Sequence, residues 1–183
     1  MTMNSKPQSE RFKQCAIRLE PWGEGDLPLL KKTLGDPVMT RYLGGPESDE
    51  QLLERQARYE RFAESGKGRM LKIILEATGE AAGKVGYGDS IHNGEGIYEI
   101  GWQVLPAFQG QGIASAAVAR AIAMARSDGK YRFLHAFPSV DNLPSNAICR
   151  KSGFTLVEEC DFEYPRGHFM RSNNWRFDLS GGS

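Results

Sequence analysis

Hydrophobic residues along the chain follow two spacings, one typical of strands and one typical of helices. Alternating or continuous apolar segments predict strands at residues 16–19, 70–75, 82–88, 97–104, 133–137, 154–157 and 175–179. Capping residues followed by a helical repeat predict helices that begin near Asp26 and Ser48, and two more at residues 115–126 and 142–151. We therefore expect an α+β fold, with a central mixed, mostly antiparallel sheet of about six to seven strands flanked by about four helices.

The connections between these segments contain the residues that turns require. The pair Asn93-Gly94 is a hairpin signal that joins strands 82–88 and 97–104 in antiparallel orientation. The glycines of strand 82–88 form a Gly-x-x-Gly-x-Gly pattern, but no helix start follows them. We therefore interpret them as a bulge or as close packing of another backbone. The helix after Ser48 has apolar positions at Leu52, Leu53, Ala57, Tyr59 and Phe62.

The composition favours one globular domain without a strongly charged partner. The 183 residues contain 23 Lys and Arg against 23 Asp and Glu, so no net field attracts nucleic acid or an anionic membrane. The mean hydropathy is −0.47, and no apolar run has the length of a membrane span or a signal peptide. We expect a single domain at residues 15–179, a disordered segment at 1–14 and a flexible tail at 180–183.

The cysteines and histidines match no metal-binding pattern. Cys15, Cys149 and Cys160 are odd in number and widely spaced, which fits neither a disulfide framework nor zinc-ligand spacing. His92, in a predicted hairpin, and His168, in a polar segment, are expected to be solvated. We expect no metal and a location in a reducing cytoplasm, and the oligomeric state, including a homodimer, stays open.

The sequence Gln109-Gly110-Gln111-Gly112-Ile113-Ala114 lies where a predicted strand passes into a predicted helix. The first N–H groups of a helix have no partner inside the helix, and the helix dipole makes that end positive. Gly110 and Gly112 allow the backbone to approach an anion closely. The turn is therefore a candidate cradle for a phosphate or a pyrophosphate.

Two common phosphate-binding motifs do not fit this turn. The chain lacks Gly-x-x-x-x-Gly-Lys-Ser/Thr, and a dinucleotide fingerprint requires a glycine where Ser115 stands and an acidic residue near Lys130. The form Gln-x-x-Gly-x-Ala instead resembles the acyl-CoA pyrophosphate loop of the GCN5-related N-acetyltransferase (GNAT) superfamily. The flanking Glu99-Ile100-Gly101-Trp102, Leu105-Pro106 and Phe108-Gln109-Gly110 resemble the RimJ/RimL-type branch of ribosomal-protein acetyltransferases.

A second segment, from Asn142 to Phe154, is similar to the Asn-x-x-Ser and Lys-x-Gly-Phe signature of the same superfamily. The resemblance implies acetyl-CoA as co-substrate. It also implies that N–H groups from Gln109 to Ala114 hold the pyrophosphate, that backbone groups of Val104 and Leu105 pair with the pantetheine amides, and that Asn142 binds the pantetheine arm. Asn142 can also act as a helix cap.

Glu99 is the candidate general base, because a carboxylate inside an otherwise apolar strand is costly to bury unpaired. The alternative is a structural salt bridge with Arg132 or Arg18. A free Glu titrates near ~4.3 and a Lys amine near ~10.4, so burial must raise the pKa of Glu99 or a water must relay the proton. An α-amine titrates near ~7.7–8.0, which mildly favours N-terminal or weakly basic amines as acceptors.

The candidate general acid follows from the second segment. Many members of the superfamily place a Tyr seven residues after the signature Asn, a position that Cys149 occupies here. The resemblance to RimL-like enzymes points instead to the signature serine, Ser145, whose alternative role is a helix cap. We expect Cys149 to be a small buried residue, because a nucleophilic Cys requires a nearby His and the sequence does not place His135 beside it.

Together these features predict an acetyl-CoA-dependent N-acetyltransferase in which a primary amine attacks the thioester directly in a ternary complex. Glu99 assists deprotonation, N–H groups around Val104 polarise the carbonyl, and Ser145 protonates the leaving thiolate. The acceptor is a protein N-terminus or a small-molecule amine, including an antibiotic, and residues 163–169 form either a substrate lip or a solvated loop. The alternatives are an acyl-CoA-binding sensor without turnover and a transferase for another acyl group, such as succinyl.

Overall fold

The computed structural model describes residues 16–181, and within this range the chain forms seven strands and four α-helices. The disorder expected for residues 1–14, and the last two residues of the expected tail, lie outside the described residues. The strands are β1 (Ile17–Pro21), β2 (Gly68–Leu75), β3 (Ala81–His92), β4 (Glu95–Val104), β5 (Phe133–Ala136), β6 (Thr155–Glu163) and β7 (Phe169–Asp178). The helices are α1 (Leu27–Leu34), α2 (Asp49–Glu60), α3 (Ile113–Asp128) and α4 (Leu143–Lys151).

Side-chain caps fix the starts of two helices at the predicted residues. Ser48 Oγ accepts a hydrogen bond from the Gln51 N–H at 3.2 Å, and Gln51 Oε1 accepts one from the Ser48 N–H at 2.8 Å. Asn142 Oδ1 accepts a hydrogen bond from the Ser145 N–H at 3.2 Å. Each such cap stabilises its helix by about 0.5–2 kcal/mol relative to Ala. The capping predictions for α2 and α4 are therefore confirmed.

The strands form one sheet in the order β1-β2-β3-β4-β5-β7-β6. All neighbouring strands are antiparallel except β4 and β5, which are parallel. The predicted α+β class and the mostly antiparallel mixed sheet are confirmed. The β4–β5 register contains only Tyr98 opposite Leu134 and Glu99 opposite His135 in the described chain, so β4 continues to Val104 without a partner on the β5 side.

The two faces of the sheet are covered by different helices, and alternation along β4 decides which residue faces which helix. Tyr98, Ile100 and Val104 belong to the main core, together with the buried side of α3. A second, smaller core contains Trp22, Leu29, Leu30, Leu34, Leu52 and Tyr59, mainly from α1 and α2. Glu99 and Gln103, at the intervening positions, therefore face the α1–α2 side.

Three sequence predictions were inaccurate in detail: the buried positions of α2 and the lengths of β6 and β7. Leu53 is 57% exposed, whereas Gln56 is buried and its Oε1 accepts a hydrogen bond from Trp22 Nε1 at 2.8 Å. Strands β6 and β7 are longer than the predicted 154–157 and 175–179. β6 lies at the edge of the sheet and is exposed or half-exposed throughout, so it carries no apolar alternation that would mark its full length.

The predicted close packing of another backbone is found at Gly83 of β3, where a Cβ would clash with Gln103 O, whereas side chains pack first against the other two glycines. A Cβ on Gly86 would lie 2.5 Å from Met70 Cε, and one on Gly88 would lie 2.6 Å from Phe62 Cζ. A Cβ on Gly101, which is opposite Gly86 on β4, would meet no atom within 4 Å. Gly101 therefore leaves open space above the middle of the sheet on the α1–α2 face. None of the helices between residues 16 and 181 is long and apolar enough to cross a bilayer.

Candidate functional site

A cavity of about 360 Å³ lies beside the point at which β4 and β5 separate. Its floor includes Gly86, Gly101 and Glu99 from the middle of the sheet. One side is lined by α2 and by Tyr164, which follows β6, and the other by the start of α4. Tyr164 belongs to the segment considered as a substrate lip or solvated loop, and it lines the cavity.

Glu99 faces this cavity from the centre of β4. Ser90 Oγ donates a hydrogen bond to Glu99 Oε2 at 2.9 Å, and burial raises the pKa of the Glu99 carboxyl. The salt-bridge alternative is wrong for both arginines considered. Arg18 pairs with Glu20 at 2.7 Å, and Arg132 pairs with Asp178 at 2.8 Å.

The turn before α3 presents free backbone donors. Gly110 and Gly112 have φ values of 75° and 79°, in the left-handed region that disfavours residues with a Cβ. Five N–H groups of this turn donate no hydrogen bond within residues 16–181, namely those of Gly110, Gln111, Gly112, Ile113 and Ala114. The turn therefore combines several unbonded donors with the positive end of a 16-residue helix, a suitable environment for a phosphate.

Gln109 differs from the rest of this turn. Its N–H donates to Pro106 O at 3.3 Å, and its side-chain Nε2 donates to Val104 O at 2.8 Å. These bonds tie the turn to the end of β4. Gln109 therefore positions the turn, and its N–H is not among the free donors that the sequence led us to expect there.

The backbone of β4 is open on the side of β5 beyond Glu99, but not at every residue that we expected. The Leu105 N–H donates to Ala82 O at 2.8 Å, and Leu105 O accepts from the Phe108 N–H at 2.9 Å. Antiparallel pairing alternates along a strand, so Trp102 and Val104 direct their backbone groups away from β3. The prediction that the Leu105 backbone is open to a ligand is therefore corrected. Trp102 and Val104 flank the open edge, whereas the Leu105 N–H faces β3.

Asn142 and Ser145 line the cavity on the side of α4. Asn142 is the cap of α4, and this bond leaves its side-chain amide N–H₂ group without a partner among the described residues. The Ser145 hydroxyl likewise makes no hydrogen bond within residues 16–181, so the alternative role of its side chain as a cap is wrong. Both side chains are therefore available to a ligand.

Cys149 and His135 lie apart from this cavity. Cys149 is fully buried in the main core, and burial raises the pKa of its thiol to about 12. His135 Nδ1 lies 2.7 Å from Asn174 Oδ1, and burial lowers the pKa of the imidazole. His92, expected to be solvated, is half-buried, with Nε2 at 3.1 Å from Asn174 Nδ2.

No group of three His, Cys, Asp or Glu side chains in the described chain has the geometry to hold a metal ion.

Sequence reasoning missed the polar residues at the α2 end of the cavity. Lys84 is only 8% exposed, and its Nζ lies 5.8 Å from the centre of the Tyr59 ring. Gln103, opposite Lys84, is also buried, and its Oε1 has no hydrogen-bond partner in the described part of the chain. Trp102 Nε1 is also buried and unpaired, but its side chain lies on the opposite face of the sheet, against the main core. Unpaired buried polar atoms are rare, so Gln103 Oε1 beside the cavity favours a ligand site there.

A family model described as "Acetyltransferase (GNAT) domain" matches residues 16–155 of the chain. None of the curated proteins is similar enough in sequence to match. The similar solved structures include three acetyltransferases. One, from Salmonella typhimurium, modifies the N-terminal serine of 50S ribosomal subunit protein L7/L12, and it is 23% identical over 88% of this chain and 94% of its own, with a TM-score of 0.72.

The second is a spermidine N-acetyltransferase from Vibrio cholerae in complex with CoA and spermine. It is 16% identical over 90% of this chain and 96% of its own, with a TM-score of 0.72. The third is an acetyltransferase from Agrobacterium tumefaciens that is 23% identical over 88% of this chain and 90% of its own, with a TM-score of 0.71. At these identities the structural similarity establishes a shared fold, whereas membership of a family rests on the match to the family model.

Proposed function

The chain belongs to the GNAT acetyltransferase family, and from that premise we propose that it transfers the acetyl group of acetyl-CoA to a primary amine. The acceptor is the N-terminus of a protein or the amine of a small molecule. The structurally similar enzymes that act on a ribosomal-protein serine and on spermidine support an amine acceptor in general terms. Amine and thioester react directly while both are bound.

The proposal rests on one arrangement along the chain. Glu99 lies in β4, the open edge of β4 follows it, and the N–H-rich turn comes after the end of the strand. Glu99 lies in the cavity, Val104 is five residues further, and Gly110 to Ala114 follow the end of the strand. At about 3.3 Å per residue, Glu99 and Val104 are separated by about 16 Å. An extended ligand bound along this edge therefore has its anionic end at the turn and its reactive end near Glu99.

The residues of this chain fit acetyl-CoA on observations within the structure. The N–H groups of Gly110 to Ala114 are free to bind a pyrophosphate, and the backbone groups of Trp102 and the N–H of Val104 are free to pair with amides, whereas Val104 O is held by Gln109 Nε2. The unpaired amide N–H₂ group of Asn142 adds a donor near Ser145. When bound, acetyl-CoA supplies the acetyl group as an activated thioester.

Two side chains would manage the protons of the reaction. Glu99 accepts a proton from the acceptor amine, and its raised pKa brings it closer to the pKa of an α-amine. The amine nitrogen then bonds to the acetyl carbon as the carbon–sulfur bond breaks, which leaves a thiolate. The Ser145 hydroxyl, free of other bonds and facing the cavity, gives that sulfur a proton and regains one from solvent, while Glu99 releases the proton of the amine to solvent.

The test is CoA thiol release from acetyl-CoA, measured with peptides of varied N-termini, amino acids, polyamines and aminoglycosides. We expect release with one class of amine, and we expect CoA binding to weaken when the turn is altered by Gly112→Ala. Acetyl-CoA binding without release on any amine would replace the enzyme by a sensor. A chain that does not bind CoA would overturn the proposal entirely.

A further inference from the structure

We propose that the acceptor amine carries an anionic group, a carboxylate or a phosphate, and that Lys84 and Arg58 bind this group at the α2 end of the cavity. The inference rests on the proposed function, because it names the class of amine that this site accepts. It starts from the charges that line the cavity and from the partners that those charges lack.

Lys84 is a buried cation without a counter-ion. Its side chain lines the cavity and is 8% exposed, and no carboxylate of residues 16–181 forms an ion pair with it. Its amine interacts with the Tyr59 side chain, whose ring centre is 5.8 Å from Nζ, and the nearby carboxylate of Glu47 is already paired with Arg55. Burial of an unpaired charge is unfavourable, and burial accordingly lowers the pKa of the Lys84 amine. An anion in the cavity would supply the missing charge.

Two arginines of α2 lie beside Lys84, but only one of them is neutralised. Arg55 forms a two-point pair with Glu47, in which both side chains are largely buried. Arg58, which also lines the cavity, has its Cζ 5.8 Å from the Tyr59 ring and forms no ion pair within the described residues. Burial raises the pKa of Tyr59, yet the cations Lys84 and Arg55 bring it below its usual value. This end of the cavity therefore has a net positive charge.

The carboxylate without a cationic partner lies at the other end of the cavity. Of the carboxylates that line the cavity, Asp89 is bonded to Lys130, which leaves Glu99. Gly88 is opposite Glu99 and Gln103 is opposite Lys84, so the carboxylate and the amine arise four residues apart along the sheet. This spacing corresponds to about 13 Å along a strand. An acceptor with an amine at one end and an anion at the other matches this distribution.

The unpaired Gln103 Oε1 provides a second, independent sign of a ligand at the basic end. Its amide Nε2 donates to Thr33 O at 3.2 Å, which fixes the side chain, while the buried Oε1 receives no hydrogen bond. A ligand N–H or O–H next to the anion would satisfy this oxygen. A polyamine or an aminoglycoside would instead bring further cations towards Lys84 and Arg58, and we expect such acceptors to be poor.

The experiment compares matched acceptors with wild-type protein and two variants. The acceptors are peptides that differ only by Glu, Gln or Lys at the second or third position, and long-chain ω-amino acids against their amides, so that the two sources of the anion are separated. The variants are Lys84→Met, which keeps the length of the side chain, and Arg58→Gln, at an exposed residue of α2 that also lines the cavity. Arg61→Gln, an exposed arginine next to α2 and outside the cavity, is the matched control.

We expect the wild-type kcat/KM for acidic acceptors to exceed that for their neutral amides at least tenfold. Lys84→Met and Arg58→Gln should each reduce this ratio at least threefold, and Arg61→Gln should leave it unchanged. Thiol release with neutral or cationic acceptors alone would overturn this inference and leave the proposed function intact. A ratio unchanged in a folded Arg58→Gln and a folded Lys84→Met variant would also overturn it.

If no acceptor supports thiol release, the proposed function is refuted. A binding measurement then tests the anion site separately. Calorimetry of the Glu and Gln peptides with the CoA-saturated protein provides this measurement. Tighter binding of the Glu peptide that disappears in Arg58→Gln supports the site. Equal binding of the two peptides by the wild-type protein refutes it.

Discussion

The replacement Glu99→Gln tests the central residue of the site, because it removes one ionisable oxygen and keeps the shape of the side chain. Ser90 Oγ donates to Glu99 Oε2 at 2.9 Å, and a Gln carbonyl can accept the same bond. If Glu99 is the general base, turnover should fall about 10²–10⁴-fold, which corresponds to roughly 3–5 kcal/mol in the activation free energy. Binding of acetyl-CoA should not change, because the turn and the open edge of β4 are untouched.

The same variant has an expected effect on stability that the mechanism does not require. Burial raises the pKa of Glu99 above its unfolded value, so the folded state binds the proton more tightly. The contribution of Glu99 to stability is therefore lost as the pH rises from the unfolded pKa to the raised folded pKa. Glu99→Gln should be more stable than the wild type at neutral pH, and this difference should shrink as the pH falls through that window.

The assays are steady-state thiol release and urea unfolding, each measured over a range of pH. Glu95→Gln is the matched control, because Glu95 lies on the same strand and is exposed. Wild-type kcat should decrease on the acidic side as Glu99 becomes protonated, and this limb should be absent from the residual activity of Glu99→Gln. Unchanged turnover would remove Glu99 from the mechanism. A less stable variant at neutral pH would refute the assignment of the pKa shift to burial.

Three further variants test the cavity, the turn and the absence of a thiol nucleophile. Gly101→Val places methyl groups in the open space above the cavity floor, so the acceptor KM should rise at least tenfold while the thermal melting temperature stays within the error of the wild type. Gly112→Ala forces a Cβ into the left-handed region at about 1–2 kcal/mol, and calorimetry should show weaker CoA binding; affinity equal to the wild type would contradict the role of the turn. Cys149→Ala should retain turnover, and mass spectrometry should find no acetyl group on Cys149 in the wild type, since burial raises the pKa of this thiol to about 12.

The local signals in the sequence predicted most of the fold because they act over a few residues. The Ser48–Gln51 capping box, the Asn142 cap and the Asn93-Gly94 hairpin all form as expected, since each depends only on its immediate neighbours. Gly110 and Gly112 also marked the turn before α3 in the sequence, because few residues other than glycine adopt the left-handed backbone found there.

The polar side of the cavity could not be predicted in the same way. A lysine among strand glycines is normally solvated, and only the packing of α2 over β3 buries Lys84 beneath Tyr59. The direction of the Leu105 N–H depends on the register between β3 and β4, which a single strand does not encode. Residues whose environment is set by distant elements, such as Lys84, Gln103 and Leu105, therefore required the three-dimensional structure.

The separation of β4 from β5 has a consequence for the exchange of the backbone amides and for the stability of the sheet. Along the last part of β4, Gly101 and Gln103 bond to β3 while the amides of Trp102 and Val104 face the gap. Hydrogen exchange should therefore alternate along this segment, with fast exchange at the even positions and protection at the odd ones. A ligand that pairs with the open edge acts as an added strand, and it stabilises the native state in proportion to the logarithm of its concentration. The unpaired edge of β4 therefore makes the stability of the sheet depend on the concentration of the ligand that binds there.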